Sequence, residues 1–299
     1  MQINQLVKFS FHKGSVYALA QGQDAASFLS AGSDGIIVQC SIHDSESATA
    51  IAKVEGQVFA LLLLPEKNHL VIGTMSGGLH VIDLNLRKEI HYITYHEQSI
   101  FDIKYFQNQL LVASKDGTLS VWSVADYALQ RTLSISELSL RMIDISPDRN
   151  EMSIACSDNS IYLVDLQRWK VKSVLHGPTN SVFSVAFLPG TEKLLAGSRD
   201  AQLYCYDLKS NDLVQQIKAH LYTINDLELI SDNKYIASAS RDKSVRIWNT
   251  ENLSLVKSLD RDKNNGHINS VNRLLWMPSQ SVLLSASDDR SIIAWKIEE

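Results

Sequence analysis

The sequence predicts an all-β fold built from repeated, four-stranded antiparallel sheets. Residues 236–249, IASASRDKSVRIWN, alternate apolar and small residues on both sides of a charged break, which is typical of two short strands joined by a tight turn. Nearly the same pattern returns later as LLSASDDRSIIAWKI and occurs earlier as LLVASKDGTLSVWSV. A hairpin that recurs in this way indicates a repeat architecture.

The repeat has a regular period. Each copy places a turn residue, usually Asp, six positions before a residue that is Trp in three copies. The seven pairs are Asp34 and Cys40, Ser76 and Ile82, Asp116 and Trp122, Asp158 and Val164, Asp200 and Tyr206, Asp242 and Trp248, and Asp289 and Trp295. Successive copies lie 40 to 47 residues apart, the period of a four-stranded propeller blade. We therefore predict a seven-bladed β-propeller that forms a single domain over residues 1–299.

The strand count predicts how the ring closes. Each copy contains three strand-like runs and is separated from the next copy by a fourth, but the chain ends soon after Trp295 with no outer strand for the last blade. The run from Ile3 to Phe9 precedes the first copy and is free to supply it. We predict that residues 3–9 pair with the last blade, so that no edge between the chain ends stays unpaired.

Prolines mark one kind of turn. Pro65, Pro147, Pro189 and Pro278, four of the five prolines, each follow an apolar run such as SVAFLP. Proline is favoured in turns and disfavoured within central strands. We expect these four to lie between the first and second strands of their blades.

Composition disfavours nucleic acid as a partner and a location in the membrane. The formal net charge is -5 and the isoelectric point is about 6.0, so the chain lacks the basic excess that nucleic-acid backbones select. Its start is polar, and it contains no run of about 18 apolar residues. We expect a cytoplasmic protein with no membrane segment.

The cysteines and histidines indicate neither a disulfide nor a metal site. Cys40, Cys156 and Cys205 are odd in number, lie in apolar strand-like runs and form no CxxC pair. The histidines mostly recur at one position of the repeat and so belong to different blades. We expect reduced, buried thiols, with no metal and no cofactor.

The chain resembles the WD-repeat β-propeller family over essentially its full length. The Trp-Asp dipeptide of that family appears as Trp248-Asn249 and Trp295-Lys296, and its second half survives in Ile82-Asp83, Val164-Asp165 and Tyr206-Asp207. The family's Gly-His pair survives as Gly266-His267, while His12, His96 and His220 stand without the glycine.

The resemblance implies a hydrogen-bonded tetrad of Trp, Ser, His and Asp in each complete blade. Carried over to this sequence, the tetrads are His220, Ser238, Asp242 and Trp248 in blade 6, and His267, Ser285, Asp289 and Trp295 in blade 7. Donors and acceptors match, because indole only donates, carboxylate only accepts, and the hydroxyl and imidazole bridge them.

Other blades depart from this pattern. Blade 1 has Cys40 in place of Trp, and blade 3 has Val112 in place of Ser. Blades 2 and 4 retain little of the tetrad, so we expect them to be held mainly by apolar packing. The Ser, His and Asp could also be interpreted as a hydrolase triad, but their strand neighbours should be core residues, so we interpret them as structural and name no catalytic residue.

The resemblance also implies a partner-binding rim on the loops around the central channel. Its predicted residues are Tyr17, Phe59, Phe101, Lys115, Arg141, Phe183, Arg199 and Arg241. Aromatic side chains beside arginines are typical of protein-binding hot spots, and a positive arc favours acidic partner segments. The alternative is structural, with aromatics that plug the channel and arginines that pair with neighbouring blades.

We therefore expect a non-enzymatic scaffold or adaptor that binds a protein or peptide. One alternative is binding of RNA or a ribosome through the basic arc. Another is an enzyme or small-ligand binder, which would need convergent carboxylates or metal ligands near the channel axis, where the sequence shows mostly aromatics, Asn and Arg. We expect a monomer that acts within a larger assembly, although the sequence leaves the oligomeric state open.

Overall fold

The computed structural model describes residues 1–298, which form seven four-stranded antiparallel sheets. The first strand of each sheet contacts the first strands of both neighbouring sheets, so the seven sheets close into a ring around an axis. The prediction of a seven-bladed propeller is confirmed.

The strands follow the chain in order from the channel outward. Blade 1 consists of β2 (Val16–Gln21), β3 (Ser27–Gly32), β4 (Ile36–Ser41) and β5 (Asp44–Lys53). Blade 2 consists of β6 (Val58–Leu64), β7 (His69–Thr74), β8 (Leu79–Asp83) and β9 (Lys88–Ile93), and blade 3 of β10 (Ile100–Phe106), β11 (Gln109–Ser114), β12 (Thr118–Ser123) and β13 (Leu129–Ser134). Blade 4 consists of β14 (Leu140–Ile145), β15 (Glu151–Cys156), β16 (Ile161–Asp165) and β17 (Lys170–Leu175). Blade 5 consists of β18 (Val182–Leu188), β19 (Lys193–Ser198), β20 (Gln202–Asp207) and β21 (Asp212–Lys218). Blade 6 consists of β22 (Ile224–Ile230), β23 (Tyr235–Ser240), β24 (Val245–Asn249) and β25 (Leu255–Leu259).

Blade 7 takes strands from both ends of the chain. It consists of β26 (Val271–Met277), β27 (Val282–Ser287), β28 (Ile292–Glu298) and, as its outer strand, β1 (Gln2–Phe9). β1 runs antiparallel to β28, from Gln2 opposite Glu298 to Phe9 opposite Ile292, with one irregularity in register. The predicted closure by residues 3–9 is confirmed.

The core lies between the blades. Each apolar cluster joins the facing sheets of two neighbours, as where Ile247 of blade 6 packs with Trp295 of blade 7. Because both faces of a sheet are covered, β3, β15 and β27 are buried at every position. Small Ser and Ala residues suit these strands, since large side chains on both faces would force the blades apart.

Turns follow the expected pattern. Pro65, Pro147, Pro189 and Pro278 each lie between the first and second strands of a blade. The longer spacing before Trp295 accommodates a short helix, α1 (Arg261–Asn264), and Pro278–Gln280 form one 3-10 turn. No helix within residues 1–298 has the length and apolar character needed to cross a bilayer.

Ring closure makes a stability prediction. Phe9 is 1% exposed on β1, and its ring meets that of Phe28 in blade 1 edge-on, with centroids 5.2 Å apart. Phe9→Ala should lower the free energy of unfolding by about 3–5 kcal/mol, because it leaves a cavity where the last blade meets the first. Urea denaturation measures the loss, and Lys8→Ala, on the exposed side of the same strand, is the matched control. Equal stability of the two variants would show that β1 does not hold the ring closed.

Candidate functional site

Seven residues, one from each inner strand, form a ring around one mouth of the channel. In all seven inner strands a β-bulge falls at this residue, which redirects its side chain. The seven residues, which we call the mouth ring, are Tyr17, Phe59, Phe101, Arg141, Phe183, Asn225 and Asn272. They line a shared cavity of about 180 Å³, and each is partly buried.

The aromatic members of the mouth ring contact one another across blades. Ring centroids lie 5.1 Å apart between Tyr17 and Phe59, and 5.5 Å apart between Phe59 and Phe101. The Arg141 guanidinium lies 4.5 Å from the centroid of Phe101 and 4.7 Å from that of Phe183, so it is held between two aromatic faces. The structure thus brings five of the eight predicted rim residues together.

The two asparagines of the mouth ring join neighbouring blades. Asn225 donates from Nδ2 to the Val271 carbonyl oxygen at 2.7 Å. Asn272 donates from Nδ2 to the Val16 carbonyl oxygen at 3.0 Å and to Asp288 Oδ1 at 2.8 Å. These amides help to hold blades 6, 7 and 1 in place around the channel.

The other three predicted rim residues lie in the turns between second and third strands. Lys115, Arg199 and Arg241 are exposed and do not line the mouth cavity. None of their side chains forms an ion pair with another of residues 1–298. Together with the loops that enter the inner strands, these turns form one end of the propeller, which we call the loop face.

Sequence reasoning missed the exposed apolar residues of the loop face. They are Met75, Leu138, Leu221, Tyr222 and Ile268, each at least 50% exposed. Leu221 and Ile268 directly follow the tetrad histidines of blades 6 and 7, and their backbone N–H groups donate to Asp242 and Asp289. That position after the histidine was the signal available in the sequence.

Blades 6 and 7 contain complete hydrogen-bonded tetrads. Trp248 Nε1 donates to Ser238 Oγ at 2.9 Å, and His220 lies 2.7 Å from that hydroxyl through Nε2 and 2.9 Å from Asp242 Oδ2 through Nδ1. The corresponding distances in blade 7 are 2.9, 2.8 and 3.0 Å, and they join Trp295, Ser285, His267 and Asp289. Every polar group of the tetrads is therefore paired inside the blade.

Blade 3 completes its tetrad in a way that the sequence pattern did not reveal. Val112 does occupy the serine position, but Ser120 on the third strand supplies the hydroxyl instead. Its Oγ accepts from Trp122 Nε1 at 2.8 Å and lies 2.7 Å from His96 Nε2, while His96 Nδ1 lies 2.7 Å from Asp116. In blade 1, His12 contacts Ser30 and Asp34 at 2.9 and 3.0 Å without a Trp.

Blade 4, which we expected to be held mainly by apolar packing, also has a polar centre. Asp158 accepts from Tyr162 at 2.6 Å and from Ser136 at 2.7 Å. Blade 5 uses the same device, since Tyr204 donates to Asp200 at 2.8 Å. In blades 4 and 5, a tyrosine on the third strand thus donates to the turn carboxylate, which His contacts in blades 6 and 7.

The channel below the mouth ring contains a cluster of charges that sequence reasoning also missed. They line a cavity of about 260 Å³ and belong to Asp102, Lys104, Asp226, Glu228 and Arg273, with Asp144 nearby. Arg273 Nη2 lies 3.0 Å from Asp102 Oδ1, and its Nε lies 3.8 Å from Asp226 Oδ2. The sequence indicated mostly aromatics, Asn and Arg near the axis, and the structure adds these carboxylates there. Sequence did not reveal them because the direction of these side chains depends on the bulges.

Each channel carboxylate already has a structural partner. Asp102 and Asp144 accept the backbone N–H groups of Ile143 and Phe187, at 2.9 and 2.7 Å. Asp226 and Glu228, both on β22, accept those of Leu274 and Trp276 on β26, at 2.7 and 3.0 Å. Within residues 1–298, His, Cys, Asp and Glu nowhere form a group of three that could hold a metal ion. The carboxylates therefore join inner strands of different blades.

Burial and neighbouring charges shift the pKa values of this cluster. Burial raises the pKa of Asp144 to about 6, against the pull of Lys104. Burial, and then the charge of Asp226, raise the pKa of Glu228 to about 7. Burial alone would lower the pKa of Arg273, but Asp226 and Asp102 outweigh it and raise that pKa.

Comparison with known proteins agrees with the geometry. The family described as Nucleolar protein 10-like, N-terminal domain, a β-propeller family, matches residues 132–298, more than half of the chain, and the WD domain, G-beta repeat, matches residues 87–123. The chain belongs to the WD-repeat β-propellers. WD-repeat propellers generally act as protein-interaction scaffolds without catalytic activity.

Relatives of this propeller are distant. Protein tipD of Dictyostelium discoideum is 21% identical over 97% of the chain and 48% of its own length. The striatin homolog of the same organism is 25% identical over 68% of the chain, and WD repeat-containing protein 55 of Arabidopsis thaliana is 23% identical over 82%. The chain spans about half of tipD, 27% of the striatin homolog and 70% of the third relative.

A solved structure shows the same fold. The WD40 β-propeller domain of Doa1 superposes with a TM-score of 0.86 and covers 99% of this chain and 98% of its own. Its sequence identity is 18%, so the likeness concerns the fold alone.

The tetrad makes a second stability prediction. Burial would raise the pKa of Asp289, but hydrogen bonds from His267, Ser291 and the Ile268 backbone outweigh it and hold that pKa well below its usual range. Asp289→Asn should therefore lower the free energy of unfolding at pH 7 by about 1.5–3 kcal/mol. Because a depressed pKa stabilises only above the unfolded value, the difference should shrink as the pH falls below about 4.

Thermal and urea denaturation at pH 7 and pH 3.5 measure this effect. The exposed Asp262→Asn is the matched control and should change neither curve. An Asp289→Asn protein as stable as wild type at pH 7 would contradict the structural role of the tetrad.

The channel cluster predicts an opposite pH dependence. The folded pKa of Glu228, about 7, exceeds the ordinary 4.5. Its contribution to stability is therefore fully present below pH 4.5 and is lost as the pH rises through 7. Glu228→Gln keeps an acceptor for Trp276 but carries no charge, so it should exceed wild type by about 1–2 kcal/mol at pH 8.

Urea denaturation at pH 5 and pH 8 measures this difference, which should be much smaller at pH 5. The exposed Glu251→Gln provides the control. A Glu228→Gln protein less stable than wild type at pH 8 would mean that the ionised carboxylate is a net stabilising group.

Proposed function

We propose that this WD-repeat propeller is a non-enzymatic scaffold that binds a protein or peptide on its loop face. The observation that carries the proposal is the coincidence of exposed apolar side chains and exposed cations on that face. Leu221 and Tyr222 are 69% and 60% exposed, and Arg241 N donates to the Thr223 carbonyl oxygen at 2.9 Å, which holds the two segments side by side. Apolar anchors beside arginine are the usual composition of an interface hot spot.

The mouth ring gives this surface a rigid centre. Tyr17, Phe59, Phe101, Arg141 and Phe183 are partly exposed yet held by mutual contacts, so they lose little freedom when a partner covers them. Lys115, Arg199 and Arg241 stand around this centre. We propose that the partner segment carries acidic residues, which these cations attract.

The two alternatives have weaker support. An enzyme would need free reactive groups, whereas the channel carboxylates accept backbone N–H groups and the tetrad hydroxyls lie inside the blades. Binding of RNA or a ribosome would rely on the cations, but exposed Leu and Ile beside them favour protein. The formal net charge of -5 also disfavours binding to the phosphate backbone of RNA.

We also propose that the seven blades act as one domain and that the protein works in the cytoplasm as a monomer within a larger assembly. Its three cysteines are free and buried, which suits a reducing compartment. Burial raises the pKa of Cys156 to about 11, so that thiol stays protonated and unreactive.

Paired substitutions on opposite ends of the propeller test the loop face. Leu221→Asp and Arg241→Glu should each reduce recovery of a copurifying protein at least tenfold, because they remove an anchor or reverse a charge. Leu86→Asp and Lys209→Glu change equally exposed residues at the opposite end and should leave recovery unchanged. Affinity purification with mass spectrometry, compared among the four variants and wild type, measures the effect.

The outcomes separate the hypotheses. Loss in the loop-face variants alone supports the proposal, provided that their urea curves match wild type. Equal loss in all four variants, or in none, would overturn it. Recovery that disappears on nuclease treatment and depends steeply on salt would instead indicate RNA.

A further inference from the structure

A groove lies on the side of the propeller between blades 1 and 2, at the margin of the loop face. It encloses about 820 Å³ between the end of β5 in blade 1 and the strands β8 and β9 of blade 2. Ile51, Val54, His80, Ile82 and Tyr92 are among the residues that line it. We call it the blade 1–2 groove.

The groove exists because blade 2 lacks the bulky members of the tetrad. Ile82 stands where blades 3, 6 and 7 have Trp, and Ser76 stands in place of the turn Asp. The loop before the inner strand reads Val54-Glu55-Gly56 and has no histidine. Space that an indole and an imidazole fill in the complete blades is therefore open in blade 2.

His80 places one polar atom in this hollow. It lies on the third strand, four residues after the turn, where Ser120, Tyr162 and Tyr204 all reach the tetrad region of their own blades. The residue is 91% buried, and its Nδ1 lies 2.6 Å from Glu89 Oε1. Because a carboxylate only accepts, Nδ1 is the donor in this contact, and in the Nδ1–H tautomer Nε2 keeps its lone pair.

That second nitrogen has no partner in the described part of the chain. His80 Nε2 makes no hydrogen bond within residues 1–298, and it is not one of the fully enclosed polar atoms there. Nε2 is therefore a hydrogen-bond acceptor that the groove can reach, although most of the His80 side chain is buried. A Cβ on Gly78 would come within 3.2 Å of it, so the glycine keeps the approach clear.

An aromatic wall stands beside this acceptor. The Tyr92 ring stacks on the His80 ring with centroids 4.6 Å apart and planes 28° apart, and Tyr92 is 57% exposed. Ile51, Val54 and Ile82 supply apolar surface. β9, the last strand of its sheet, has an open edge along which an extended segment can lie.

The charges around the groove balance. Lys53 and Arg87 line it together with Glu55 and Glu89, two cations and two anions. The groove therefore favours neither a free anion nor a free cation. What remains unsatisfied is one hydrogen-bond acceptor within an apolar and aromatic surround.

We infer that the blade 1–2 groove binds a tryptophan side chain from an extended segment of a partner protein. Indole is aromatic, largely apolar and a donor only, which complements a lone acceptor beside a stacked ring pair. Other blades of this protein hold an indole through a single acceptor, since Trp122, Trp248 and Trp295 each donate Nε1–H to a serine hydroxyl that contacts a histidine. In blade 2 the partner supplies the indole that the chain lacks.

Small probes test the inference on the intact protein. N-acetyl-tryptophanamide is titrated while NMR follows the His80 and Tyr92 ring signals, and its 1-methyl-indole analogue, which has no donor, serves as the matched probe. The donor-bearing probe should shift both rings and bind about three- to tenfold more tightly than the methylated one. His80→Phe keeps the stack but removes the acceptor, so it should abolish this preference.

A second variant closes the groove. Ile82→Trp restores the bulk found in blades 6 and 7 and should prevent either probe from shifting Tyr92. His176→Phe, an exposed histidine of blade 5, is the control and should leave binding unchanged. If Ile82→Trp does not fold, His80→Phe and the comparison of the two probes still test whether the groove binds an indole donor.

Three results would overturn the inference: no shift of either ring at millimolar probe, equal affinity for both probes, or an unchanged preference in His80→Phe. The test is independent of Leu221 and Arg241, which do not line this groove. Leu221→Asp should bind the probe as wild type does, so failure of one proposal leaves the other standing.

Discussion

The pairing of β1 with β28 is the constraint on which the rest of the molecule depends. A propeller blade is stable only when both faces of its sheet are covered and its outer edge is complete, and blade 7 meets that condition only by borrowing a strand from the other end of the chain. The edge-on contact of Phe9 with Phe28 then carries the closure into blade 1. With the ring closed, the seven inner strands are held close enough for their side chains to meet across the channel.

Within that frame, the polar centre of each blade is replaceable. Blade 3 takes its hydroxyl from Ser120 on the next strand, and blades 4 and 5 use Tyr162 and Tyr204 to hold the turn carboxylate. What matters physically is that the turn carboxylate at the centre of the blade has a donor, not which residue supplies it. Blade 2 is the exception, because Ser76 replaces the turn carboxylate and the indole and the imidazole are also missing. The result is a groove with one open acceptor at His80.

The two ends of the inner strands do different work. At the mouth, Arg141 lies between Phe101 and Phe183 and makes a rigid, partly exposed centre for the loop face. Deeper in the channel, Asp102 and Asp226 share Arg273 and accept backbone N–H groups of other blades. Reactive-looking groups are thus committed to joining blades, whereas exposed Leu221 and Tyr222 have nothing to cover them. That contrast favours a role in protein binding over one in catalysis.

The sequence by itself determined the number of blades, the closing strand and the tetrads of blades 6 and 7, because these follow from spacing along the chain and from residues that recur within each repeat. Only the tertiary structure decided that Ser120 replaces a missing hydroxyl and that the aromatic rim residues contact one another. The same holds for Arg273, which reaches Asp102 across 171 positions of sequence. Such contacts join different repeats through side chains whose direction is set by a β-bulge in each inner strand, and a linear pattern of residue types does not encode that direction.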